Sequence, residues 1–140
     1  HTGPVGTNLF DGGAPFYNVY ETGDGKHVTV APIEAKFYAQ LLDKLGIDPA
    51  SLPDQNDMNG WPEIRAKFAE VFRTKTRDEW SAIMEGTDIC YGSIQSMGEA
   101  LSHPHNVARG TFVQVNGVDQ PAPAPRFLGT PAAAPVGRKG

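Results

Sequence analysis

A single carboxylate, Glu34, stands where a strand pattern gives way to a helix pattern in this 140-residue chain. Valines alternate through Lys26-His27-Val28-Thr29-Val30, Pro32 supplies a fixed φ at a first helical position, and apolar side chains follow at Phe37, Leu41 and Leu45. The spacing predicts a helix over 32–45 with Glu34 in its first turn. Exposed amides and the positive end of the helix dipole stabilise a negative charge there by about 0.3–1 kcal/mol. Position alone therefore accounts for a carboxylate without giving it chemistry.

The other reactive residue types carry weaker patterns. Gly12-Gly13 invites a phosphate cradle, but the spacing is neither a P-loop nor a dinucleotide fingerprint, and no helix follows to offer its N-terminus. A turn entering a hairpin explains the pair. His103 and His105 flank Pro104 at a helix end, which gives them neither one helical face nor alternate strand positions, so they read as surface polar residues and no metal site is expected. Asp88 and Cys90 follow a predicted helix, and pairing Cys90 with His27 or His105 would make a nucleophile. A buried, inert thiol beside a strand is the expectation, because free Cys is among the most buried residue types. Arg109 at a loop start suits a phosphate, or a nearby carboxylate or backbone.

The elements that must position these groups follow from local signals. Two strands, 16–22 and 26–30, join through Gly23-Asp24-Gly25, residues that tolerate positive φ. Gly46 is placed to end the first helix in the left-handed conformation, and Asp48-Pro49 blocks its continuation. The loop over 48–60 allows one short turn at 49–52. A second helix opens at Trp61-Pro62 with Ile64, Phe68, Val71 and Phe72 on one face. A third opens with Thr76 and Glu79 in capping-box spacing and turns Trp80, Ile83 and Met84 inward. The run 89–94 is apolar enough for a buried strand. Ser96 and Glu99 cap a short helix that ends at Pro104, and 111–115 and 118–120 flank the type I′ pair Asn116-Gly117. Five prolines between 121 and 135 exclude a central strand and favour an extended arm.

The expectation is an α+β fold, a small antiparallel sheet of hairpins packed with three to four helices and an extended Pro-rich C-terminal arm. Its parts are an N-terminal linker over 1–14, a small domain over 15–120 and the arm over 121–140. A net charge of −4 with interspersed signs lacks the clustered basic face that nucleic acid needs. No apolar run approaches the 18–20 or so residues of a bilayer span, and the start lacks a signal-peptide pattern. One cysteine cannot form an intrachain disulfide, which fits a reducing compartment and a cytoplasmic origin.

The order of motifs resembles the α-methylacyl-CoA racemases of the family III CoA-transferase superfamily. It runs through Asp11-Gly12-Gly13-Ala14-Pro15-Phe16-Tyr17, Asp24-Gly25-Lys26, Ile33-Glu34 with Phe37-Tyr38, Leu45-Gly46, Trp61-Pro62-Glu63 and Phe68-Ala69-Glu70-Val71-Phe72. It continues through Trp80, Gly86-Thr87-Asp88 with Cys90, His105, Arg109-Gly110, Phe112, Pro123-Ala124-Pro125-Arg126-Phe127 and Thr130-Pro131. The resemblance implies the small domain of a two-domain isomerase of lipid metabolism, which removes and returns the α-proton of a 2-methylacyl-CoA through an enolate. No cofactor is implied beyond the acyl-CoA substrate. The proton-transfer His and Asp would belong to the large domain, absent here, so this fragment alone would be inactive. Glu34 would be the catalytic contribution of the small domain, orienting that His, with Gly12 and Gly13 on the substrate side. The implied partners are acyl-CoA, the large domain and a second subunit in an interlinked homodimer.

Two departures accompany the likeness. Ala35-Lys36 replaces a common Pro-Gln after the Glu, and Tyr91-Gly92-Ser93-Ile94 replaces a common Val-Thr/Ala-Pro-Val after the Cys. The alternatives are a piece of a family III CoA-transferase, whose Asp nucleophile would also lie elsewhere, and a stand-alone interaction module without chemistry.

Overall fold

The computed structural model describes residues 3–137, so the expectations for the first two and last three residues lie outside the described residues. The chain divides after Ile94 into two compact units.

In the first unit β1 (Asn18–Glu21), β2 (His27–Val30) and β3 (Tyr91–Ile94) form an antiparallel sheet in that order. Val19 pairs with Thr29 and Thr29 with Gly92, while His27 pairs with Ile94 and Val30 with Tyr91. Alternation sends Tyr20, Val28 and Val30 to a buried face and leaves Val19 exposed on the other. The five residues between β1 and β2 are held from outside. Asp24 Oδ1 accepts from Thr22 Oγ1 at 2.6 Å and from the Arg77 amide at 3.2 Å, and the Gly23 amide donates to Lys75 O at 2.8 Å. A Cβ on Gly23 would lie 2.7 Å from Arg73 O, which is why glycine stands there.

Helices α1 (Ala35–Leu45), α2 (Trp61–Phe72) and α3 (Arg77–Met84) carry the rest of this core, with a 3-10 turn over Pro49–Ser51. Tyr38, Leu41, Leu42 and Leu45 of α1 and Trp61, Ile64, Phe68 and Phe72 of α2 are buried with Trp80 and Met84 of α3. Val71 and Ile83, expected inside, pack at the edge of this cluster. The Tyr20 ring stacks on Phe72 with centroids 5.0 Å apart, and Phe72 meets Trp80 edge-on at 5.3 Å. Burial of each such side chain contributes about 1.5–3 kcal/mol. Gly46 ends α1 at φ 68, and Thr76 and Glu79 form the reciprocal capping box of α3.

Three boundaries differ from expectation. The first strand is shorter than 16–22, because Phe16 enters the core ahead of the ladder. Helix α1 begins at Ala35 and not at Pro32, so Glu34 is the N-cap and lies outside the first turn. The strand expected over 89–94 starts at Tyr91 and is half-buried, with only Ile89 before it fully enclosed.

The second unit comprises α4 (Met97–Ser102), α5 (Pro104–Arg109) and an antiparallel hairpin of β4 (Phe112–Val115) and β5 (Val118–Pro121). The Ser96–Glu99 capping box is present. Pro104 ends α4 and also occupies the first turn of α5, a helix absent from the sequence expectation. Asn116 and Gly117 adopt positive φ, 52° and 79°, as the two-residue turn requires. Among the described residues no helix is long and apolar enough to cross a membrane.

Candidate functional site

Glu34 sits at an extended junction, φ −72 and ψ 138, between β2 and α1. Its carbonyl accepts the first helical bonds, from the Phe37 and Tyr38 amides at 2.9 Å each. Its side chain is exposed and makes no cap hydrogen bond, unlike Thr76 and Ser96 at the starts of α3 and α4. The helix end thus leaves this carboxylate unused. Lys36 does not compete for it, since its ammonium lies over the Phe37 ring, 4.5 Å from the centroid.

The backbone beneath Glu34 is fixed from a distance. Gln55, only 9% exposed, donates from Nε2 to Ile33 O at 2.9 Å and to Pro32 O at 3.5 Å. The backbone carbonyl of Gln55 in turn accepts from the Trp61 indole Nε1 at 2.9 Å. Beside this junction lies a cleft of about 440 Å³ that Ala35, Tyr38, Leu42, Asp54 and Gln55 help to line. The Tyr38 hydroxyl is buried without a hydrogen-bond partner, and burial, reinforced by the Asp54 charge, pushes its pKa up to about 12.

The glycine pair is held in a pinned turn. Gly12 has φ 96, and a Cβ on Gly13 would lie 2.3 Å from Asn8 O and 2.4 Å from the Thr7 carbonyl carbon. The Gly13 amide donates to Asn8 O at 3.0 Å. Arg65 Nη2 reaches back to the carbonyls of both glycines, and Asn18 Nδ2 donates to Gly12 O at 3.0 Å. Asp11 closes the turn by accepting from the Asn8 amide and from Asn8 Nδ2, each at 2.7 Å, and the side-chain bond holds its carboxyl below the usual range. Oxygens, not amides, converge on the cation here, the opposite polarity to a phosphate cradle. Gly13 borders a cleft of about 330 Å³ with Trp61, Pro62 and Arg65, whereas Gly12 borders another of about 290 Å³ against Tyr17, Val19 and Thr29. Glu34 lines neither cleft, so the structure does not gather the three sequence-derived residues in one pocket. Gln55 and Arg65 were missed because both act across more than twenty residues of chain.

Cys90 is exposed with φ 56, which corrects the expectation of a buried thiol. The β2–β3 register puts His27 opposite Ile94, at the far end of the strand from Cys90, and removes that Cys–His pair. His105 lies in α5, and Arg109 closes α5 with its carbonyl accepting from Arg126. Among the described residues no three His, Cys, Asp or Glu side chains come together in a metal-binding group.

A sequence profile of CoA-transferase family III matches residues 1–138. The human α-methylacyl-CoA racemase is 45% identical over 130 residues, covering 92% of this chain and 34% of that protein. The mouse α-methylacyl-CoA racemase gives the same identity and coverage. The chain therefore spans about a third of the length of the curated relatives it matches. A crystal structure of Rv3272 from Mycobacterium tuberculosis superposes with a TM-score of 0.69 over 85% of this chain and 35% of that one, at 15% identity. That likeness concerns the fold.

Proposed function

We propose, from the premise that this chain belongs to CoA-transferase family III, that it is the Glu34-bearing part of an α-methylacyl-CoA racemase. The observation that carries the reading is the 45% identity to two racemases over 92% of the chain. It favours a racemase over a CoA-transferase. The substrate is a 2-methylacyl-CoA thioester and needs no separate cofactor. Its α-carbon loses a proton on one face and regains one on the other, so two groups on opposite faces are required. An enolate forms between these steps, and donors must lie where its negative charge develops.

A His and an Asp of the larger part of the enzyme are the two proton-transfer groups in this reading. Glu34 meets that His and both orients the imidazole and stabilises the imidazolium. Two features of the junction support the assignment. The carboxylate is exposed and not spent on its own helix, and the backbone that carries it is tied to the core through Gln55.

The outer face of the β1–β2–β3 sheet is the docking surface for the larger part. It exposes Val19 at 48%, with Tyr17 beside it and Phe10 packed edge-on against Tyr17 at 5.2 Å. An interlinked homodimer then completes each site with Glu34 from one subunit. The test is α-proton exchange with one epimer of a 2-methylacyl-CoA in D2O. The chain alone leaves the α-proton in place and the full-length enzyme exchanges it. Exchange by the chain alone, or none by the full-length enzyme, overturns the proposal.

A further inference from the structure

We infer that Gln55 is a positioning residue for Glu34, an inference that rests on the role given to Glu34 above. The segment between β2 and α1 has no regular structure, and its own bonding is slight. The Ile33 amide donates to Ala31 O at 2.9 Å, and Glu34 lends no side chain to the helix end. Two successive carbonyls, those of Pro32 and Ile33, take no part in the segment's own backbone bonding. The buried amide of Gln55 takes both, with the closer bond at the carbonyl immediately before Glu34.

That bond fixes the peptide plane between Ile33 and Glu34, and so the direction in which the Glu34 Cα–Cβ bond leaves the backbone. Trp61 sets the other end of the linkage. Its indole sits in the first turn of α2, stacks edge-on to Phe16 at 5.9 Å and donates to the Gln55 backbone carbonyl. The chain of contacts thus runs from the aromatic core through Trp61 and Gln55 to the carbonyl of Ile33. An exposed carboxylate on an extended junction needs such a support if it is to meet an imidazole at hydrogen-bond distance, since misplacement by about 1 Å costs up to about a hundredfold in rate.

The experiment is a double-mutant cycle in the full-length enzyme with Gln55→Glu, Glu34→Gln and the pair together. Gln55→Glu keeps the side-chain shape and replaces the donor with an acceptor facing Ile33 O. The expected result is a fall in kcat of about tenfold with KM little changed. The double variant is no slower than Glu34→Gln alone, because Gln55 acts through Glu34. Trp61→Phe keeps an aromatic ring in the core and removes the indole donor together with part of the ring volume, and it enters the same cycle if Gln55→Glu does not fold. Multiplying losses, or an unchanged kcat in the Gln55 variant, overturn the inference. A silent Glu34→Gln variant instead overturns the role given to Glu34, and with it this inference, and that single variant separates the two failures.

Discussion

Replacing Gly13 by Ala tests whether the glycine pair is there for backbone reasons. The added methyl carbon would lie 2.3 Å from Asn8 O, 2.4 Å from the Thr7 carbonyl carbon and 2.6 Å from the Asn8 amide nitrogen. All three are backbone atoms of one turn, so no side chain can swing aside. Overpacking of this kind costs about 1–3 kcal/mol where the surroundings can shift. Here the turn is tied by Arg65, Asn18 and Asp11, which puts the expected cost at the upper end, about 3 kcal/mol.

Gly12→Ala meets no atom within 4 Å and pays only for φ 96, about 1–2 kcal/mol. Urea melts of both variants give the order, and hydrogen exchange at the Gly13 amide reports whether the turn has instead detached. The expected outcome is a larger loss for Gly13→Ala, either of global stability or of protection in the turn. A Gly13→Ala protein with unchanged stability and unchanged protection would refute the reasoning and return the glycine pair to a purely substrate-side role.

Tyr38→Phe removes a hydroxyl that is buried without a partner, so the urea midpoint stays level or rises, by up to about 1 kcal/mol of stability. Thr76→Ala breaks the capping box of α3 and lowers stability by about 1 kcal/mol in the same assay. Hydrogen bonds from Thr22 and the Arg77 amide hold the Asp24 carboxyl below its ordinary value of 3.8, and Glu79 is likewise lowered by its bonds to Thr76. Their contribution is present above the unfolded-state pKa and is lost as pH falls through the folded-state values. Acid titration of the melting temperature should therefore drop more steeply in the wild type than in Asp24→Asn. Cys90 reacts with an aromatic disulfide reagent in the native protein as fast as in urea, since its side chain is exposed.

Much of the fold was legible because its signals are local. Thr76 with Glu79 and Ser96 with Glu99 mark helix starts within four residues, and Asn116-Gly117 marks its hairpin within two. Helix α5 escaped because Pro104 serves as terminator of one helix and first-turn residue of the next, two uses of the same fixed φ. The start of α1 slipped by three residues for a non-local reason. Gln55 binds the carbonyls of Pro32 and Ile33, and both residues lie outside the helix, against the helical reading that Pro32 invites. Arg65 ties the glycine turn across fifty-two residues, a distance at which no spacing rule operates. Cys90 defeats a burial preference through its position in the loop entering β3, at a positive φ.

The central claim is that Glu34 supports proton transfer by orienting and charge-stabilising the histidine proposed to perform it, and α-deuterium incorporation by the full-length Glu34→Gln variant measures it directly. With a single epimer of a 2-methylacyl-CoA in D2O, incorporation slows by about a hundredfold or more relative to wild type while the melting temperature holds. Equal rates of incorporation in the two proteins would contradict the account.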